Sequence, residues 1–179
     1  RYLLGMGLFA SGDSTGAEAA LRKALASGHS ADETVPALAR VMLVLKQFQP
    51  LIDEFDGTTL QQADAIASLA TSLSIAHRAV GDAGQADTAL AAALQSDPQY
   101  VPARLLQIRQ QAARGDIDGA LAEIDALLAR QGSDIGAWLV KGDLLRDGQG
   151  RNAEAAVAYR KVIEIQPSLA TGYLETVDT

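Results

Sequence analysis

Cysteine is absent from the 179 residues, which excludes disulfides, thiolate metal sites and thiol nucleophiles while leaving the redox compartment open. Aromatic residues make up only 4% of a chain that is 48% hydrophobic. The apolar mass is therefore Ala and Leu, residues that favour helices and close helix packing over strands, and an all-helical protein is expected. Long apolar runs are also missing: "VMLVL", Val41 to Leu45, is among the longest, far short of the roughly 20 residues a membrane helix needs. Positive charge is in deficit, with 15 basic against 22 acidic side chains, a net charge of -7 and the two signs interspersed. A phosphate backbone would be repelled over most of such a surface, so nucleic acid is not an expected partner.

What the chain does have is a recurring Gly-Asp. "SGDSTGAEAALRKAL" (Ser11 to Leu25), "VGDAGQADTALAAAL" (Val80 to Leu94) and "RGDIDGALAEIDALL" (Arg114 to Leu128) each set the pair before an Ala- and Leu-rich amphipathic run. The pairs begin at 12, 81 and 115, with separations 81-12 = 69 and 115-81 = 34. Since 69 is 34 plus 35, one turn falls near 46, where Lys46-Gln47-Phe48 stands between two apolar-periodic segments. Internal repeats of this length, with two helices per unit, imply a stack of helix pairs. In such a unit Gly ends the first helix at positive φ, Asp caps the second, and Pro98 and Pro167 stop second helices.

The residues at fixed offsets from these turns resemble the tetratricopeptide repeat family. The third unit carries Leu73, Gly81, Asp82, Ala86, Leu90, Ala93 and Pro98, and the first carries Leu4, Gly5, Gly12, Ala17, Leu21 and Ala24. The second has Leu38, Ala39, Phe48 and Phe55. Trp138, Gly142, Ala155, Tyr159 and Pro167 fit the fifth if one extra residue is allowed in "DGQGRN". The resemblance implies an all-α, right-handed solenoid of antiparallel helix pairs over 1–179, in about five repeats at 1–31, 32–66, 67–100, 101–134 and 135–168, with the start of a further helix at 168–179. Two departures carry expectations. "DGTT" after Phe55 ends the second unit's second helix early, and Leu60 to Val80 then reads as one helix. In the fourth unit Gln107 and Gln111 occupy core offsets while Leu105, Ile108 and Ala112 form an alternative stripe shifted by one, which leaves the helix register open.

Candidates for chemistry are few. His29 reads as a loop residue and His77 as a helix residue facing its neighbours; neither has spaced partner ligands. Gly148 to Ala153 matches G-x-G-x-x-A, but it follows the helical "WLVKGDLLRD" rather than a strand, so it reads as a turn. "GDIDGALAE" lacks calcium-loop spacing, and Asp116 reads as a helix cap. No catalytic, metal or cofactor residue is assigned, and an enzyme is not expected.

Function is then expected on the surface. In the family resembled, the first helices line an inner groove that holds segments of other proteins. Its groove offsets select Met6 and Phe9, Arg40 and Leu43, Ser72, Ile75 and Arg78, Leu106 and Arg109, and Leu139, Asp143 and Arg146. Arg40, Arg78, Arg109 and Arg146 would form a ladder suited to an acidic segment, or would pair with carboxylates of the chain itself such as Asp143 and Asp147. The Lys and Asn residues with which chaperone-binding members clamp a terminal carboxylate are missing from the groove offsets. The order "YLLGMGLFASGDSTGAEAALRKAL", "VPALARVMLVLKQFQPLIDEF", "DGTT" and "AWLVKGDLL" resembles the long bacterial repeat lipoproteins associated with exosortase and PEP-CTERM protein sorting. That resemblance implies a longer, lipid-anchored parent in the periplasm or outer envelope of organisms making exopolysaccharide. In keeping with it, the chain starts at Arg1 within an apolar stretch that reads as helix and lacks a signal-peptide cleavage pattern, so any targeting information is expected upstream. The expectation is a non-catalytic scaffold binding a protein or peptide segment; the alternative is a structural spacer that self-associates end to end through Leu3, Met6 and Phe9 at one end and Leu169 and Tyr173 at the other.

Overall fold

The computed structural model describes residues 1–148 and 150–167. Leu169, Tyr173 and the expected further helix at 168–179 lie outside them. Among the described residues the chain is helical throughout, with no strand. The helices are α1 (Tyr2–Ala10), α2 (Ser14–Ala26), α3 (Ala31–Val44), α4 (Phe48–Phe55), α5 (Ala63–Ala79), α6 (Ala83–Ser96), α7 (Val101–Ala113), α8 (Ile117–Arg130), α9 (Ile135–Asp143) and α10 (Asn152–Ile165), with a π-helical turn at Leu144–Gly148 after α9. Two compact units result, one spanning Arg1–Arg104 and the other beginning at Leu105.

Each Gly-Asp turn joins a first helix to a second. Gly12, Gly81 and Gly115 adopt φ of 89°, 90° and 97°, a left-handed region that a Cβ disfavours. The adjacent carboxylates cap the second helices: Asp13 accepts from Gly16 N–H at 2.8 Å, Asp82 from Gln85 N–H at 3.0 Å and Asp116 from Gly119 N–H at 3.0 Å. The turn near 46 has the same backbone with other residues. Lys46 takes φ 57°, the one positive-φ residue besides glycines among the described residues, and Gln47 makes no side-chain cap.

The extra residue of the fifth unit is visible in the turn's hydrogen bonds. In four turns the N–H after the left-handed residue reaches back five positions, from Asp13 to Leu8, Gln47 to Met42, Asp82 to His77 and Asp116 to Gln111. In the fifth it reaches back six, from Arg151 to Leu145 at 2.8 Å. The wider π turn at 144–148 takes up the added residue without shifting Leu145 out of the core, where it is 2% exposed.

The two helices of a pair bury different amounts of themselves. Second helices are amphipathic: α2 buries Ala17, Ala20, Leu21 and Ala24, and α8 buries Ala120, Leu121, Ile124 and Leu128, each one stripe at helical spacing. First helices in the interior of a unit pack on more sides. α5 buries ten of its residues, Thr71, Ser72, Ser74 and His77 among them, because it lies against α3, α4 and α6. Close approach within a pair requires small residues. A Cβ on Gly142 would lie 2.4 Å from the Tyr159 ring, and one on Gly5 would lie 2.7 Å from Leu21.

Two expectations are sharpened by the tertiary structure. α4 does end at Phe55, but α5 begins at Ala63 rather than Leu60. The Asp32 carboxylate accepts from the N–H groups of Gln61 and Gln62 at 2.7 and 3.1 Å, holding them as a loop while Leu60 inserts into the core. In α7 the shifted stripe is the buried one. Ile108 is fully buried, with Leu105 and Ala112 packed against the same cluster, whereas Gln107 is exposed and the Gln111 amide donates to Asp116.

Candidate partner-binding faces

In the first unit the solvent-facing side of the first helices is formed by short stripes on α1, α3 and α5. Arg40, Leu43 and Val44 follow one another on one side of α3: Arg40 is exposed, Leu43 half-buried and Val44 58% exposed. On α5 the stripe is narrow, with Ile75 38% exposed and Arg78 exposed among otherwise buried neighbours. Ser72 does not belong to this surface. It is 3% exposed, and its hydroxyl donates to the Ser68 carbonyl at 3.0 Å inside the helix packing. Met6 and Phe9 on α1 are partly buried against the core.

In the second unit Leu106, Leu139 and Asp143 are half-buried and Arg109 and Arg146 exposed. Leu139, Asp143 and Arg146 come together with Tyr159, Val162 and Ile163 of α10 around a cavity of about 250 Å³. Asp143 is its polar centre. It accepts from the Tyr159 hydroxyl at 2.9 Å and from Arg109 at 3.4 Å, and lies 3.7 Å from Arg146. The Arg146 guanidinium also donates to Asp147 at 2.7 Å and lies 5.8 Å from the Tyr159 ring centroid. These contacts set the local protonation states. The hydrogen bond to Asp147 raises the Arg146 pKa, and the same bond holds the Asp147 carboxyl below its ordinary value. Burial first, then the bond to Asp143, pushes the Tyr159 phenol up to about 12.

The four arginines are therefore not equivalent. Arg78 donates to Asp87 at 2.6 Å, Arg109 to Asp143 and Arg146 to Asp147, so three of them are engaged by carboxylates of their own chain. Exposed pairs of this kind add little to stability, but they neutralise the charge offered to a ligand. Arg40 has no such carboxylate among the described residues. Sequence offsets missed Val44, one helical turn beyond Arg40, and the contribution of Tyr159, Val162 and Ile163 to the cavity; the i, i+4 spacing from Arg40 would have found the first.

The remaining candidates read from sequence are structural. Asp116 caps α8, and its pKa is lowered by the hydrogen bonds from the Gln111 amide and the Gly119 N–H. His29 lies between α2 and α3, with Glu33 at 2.7 Å and the Tyr2 ring stacked at 4.7 Å. His77 is buried, with Asp56 at 3.7 Å. Gly148 and Gly150 belong to the turn between α9 and α10. Among the described residues no three His, Asp or Glu side chains are grouped to hold a metal ion, and no helix is long and apolar enough to cross a membrane.

Comparison with known proteins places this geometry. Residues 105–170 match the tetratricopeptide repeat family model. That stretch holds most of α7 and all of α8 to α10, and the all-helical fold of the chain matches solved structures of repeat proteins. One is TTC0263, a thermophilic repeat protein of Thermus thermophilus, at 23% identity and a TM-score of 0.72, covering 99% of this chain and 97% of that one. MamA is similar at 21% identity and a TM-score of 0.52, covering 94% and 97%. YrrB, described as a repeat protein with an unusual peptide-binding site, is similar at 22% identity and a TM-score of 0.50, covering 91% and 83%. At these identities the likeness shows the fold. The search of curated proteins finds no match.

Proposed function

We propose that the chain is a non-catalytic interaction scaffold that holds a segment of another protein on the exposed faces of its first helices. The observation that carries this is the outward display of Val44 on α3 and Ile75 on α5, 58% and 38% exposed, with Arg40, which has no carboxylate partner among the described residues, one turn from Val44. Apolar side chains grouped with a cation on a rigid helical face suit recognition of an extended or helical segment. The likeness to a repeat fold that includes a peptide-binding member, YrrB, supports the same reading. The partner segment is acidic in this proposal, although the internal pairing of Arg78, Arg109 and Arg146 concentrates the demand at Arg40. The setting proposed is bacterial envelope protein sorting or exopolysaccharide export, from a lipid-anchored parent in the periplasm or outer envelope. It rests on the stretches that resemble exosortase-associated lipoproteins.

A photocrosslinking amino acid at Val44 or Ile75 tests the interaction in producing cells. The expected result is one protein captured from both positions and none from Ala91, which is exposed on the second helix α6. Equal capture from all three positions would sink the reading. The second reading, a spacer that assembles end to end, is favoured by Leu3 and Leu4 on α1, 81% and 60% exposed. Sedimentation across a hundredfold concentration range checks it, and a monomer throughout would remove it.

A further inference from the structure

Equivalent positions in the first unit align a mixed triplet. Met6, Arg40 and Ile75 each stand six residues before the left-handed turn residue of their repeat, at Gly12, Lys46 and Gly81. They therefore occupy the same place on α1, α3 and α5, consecutive first helices that pack in that order. Across this face the order is thioether, guanidinium, aliphatic. Met6 is half-buried, Arg40 exposed and Ile75 38% exposed, with Val44 adding exposed apolar surface one turn along from Arg40. Arg109 holds the same offset, six before Gly115, but its charge is met by Asp143. A guanidinium exposed between two apolar side chains attracts a carboxylate, and the apolar flanks reduce competition from water for that contact.

From this alignment we infer that the first unit recognises a single acidic side chain held between two apolar ones in an extended segment crossing α1, α3 and α5; this rests on the interaction reading above. The spacing follows from geometry. Packed helix axes lie about 8–10 Å apart, and a polyproline II segment returns to the same side every three residues, about 9 Å along its axis. The partner pattern is therefore apolar-x-x-acidic-x-x-apolar, with the acidic side chain on Arg40 and the apolar ones on Met6 and Ile75. A run of carboxylates is not required, because only the central position meets an unengaged cation.

The test uses the full chain and a defined probe, acetyl-Leu-Pro-Ser-Glu-Pro-Ser-Leu-amide, with its Gln analogue, titrated by NMR. Chemical-shift changes are expected at the Met6 and Ile75 methyls and the Arg40 side chain, and the Glu probe should bind about fivefold more tightly than the Gln probe, the size of one exposed charge-assisted contact. Arg40→Gln should abolish that preference while leaving the affinity for the Gln probe unchanged; Lys23→Gln, exposed on the second helix α2, should change neither. Equal affinity for the two probes in the unmodified chain, a preference that survives Arg40→Gln, or shift changes away from α1, α3 and α5 would each overturn the inference. So would absence of binding by a chain with unchanged helicity. If capture from Val44 persists in cells while the probes are not distinguished, the carboxylate specificity falls and the interaction scaffold stands. If capture from Val44 and Ile75 is also lost, both fall.

Discussion

Replacing Gly142 by Ala sets two opposed effects against each other, and the structure says which wins. In an open helix the change is favourable by about 0.5–1 kcal/mol, because Ala restricts the unfolded chain and favours helix. At Gly142 the added Cβ would lie 2.4 Å from the Tyr159 ring. The ring cannot simply swing aside, since its hydroxyl is tied to Asp143 at 2.9 Å. Overpacking of this kind costs about 1–3 kcal/mol, so Gly142→Ala should be destabilising by about 1–2 kcal/mol on balance. Gly7 on α1 is the control. It has nothing within 4 Å of an added Cβ, and Gly7→Ala should stabilise by about 0.5–1 kcal/mol. Urea unfolding provides the assay, with helicity read by circular dichroism for both variants and the fluorescence of Trp138, the single tryptophan and a residue of α9, for Gly142→Ala. On a Tyr159→Ala background the same Gly142→Ala change should become stabilising, giving a coupling of about 2 kcal/mol. If Gly142→Ala stabilises the unmodified chain as much as Gly7→Ala does, the close approach of α9 and α10 is wrong.

The turn at 46 gives the opposite prediction: Lys46→Gly should raise stability by about 1 kcal/mol, or roughly 2–4 °C in Tm, by relieving a left-handed side-chain residue at φ 57°. Thermal unfolding checks it, and an unchanged or lower Tm would count against a real left-handed conformation there. Removing a cap should cost a similar amount, with Asp82→Ala losing about 1 kcal/mol and hydrogen exchange accelerating first in the initial turn of α6, whose Gln85 N–H loses its acceptor. Tyr159 carries a pH signature. Its folded pKa is raised to about 12 from an ordinary phenol value of about 10, so the neutral form is favoured by folding. Its stabilising contribution is complete below about pH 10 and is lost as pH rises toward 12. Absorbance titration at about 295 nm should show a late phenolate that Tyr159→Phe removes; four tyrosines ionising together near the ordinary value would contradict the buried bond to Asp143.

By itself the sequence determined the helix pairs, because period and turn chemistry are local. Gly12, Gly81 and Gly115 at positive φ and Asp13, Asp82 and Asp116 as caps need only their neighbours in the chain. Even the extra residue of the fifth unit was legible as a count, although its absorption in a π turn was not. The register of α7 was undecided in sequence, since Gln107/Gln111 and Leu105/Ile108/Ala112 are both helical stripes, and only packing chose the apolar one. The start of α5 moved for a similar reason: an acceptor 29 residues away, Asp32, claims the N–H of Gln61. The four arginines were visible, but whether a guanidinium is free depends on carboxylates such as Asp87 and Asp143, 9 and 34 residues distant and brought in by adjacent helices. Local rules thus wrote the repeat. Packing between helices placed Ser72 in the core, and charge pairing decided that Arg78, Arg109 and Arg146 are engaged while Arg40 is left facing outward.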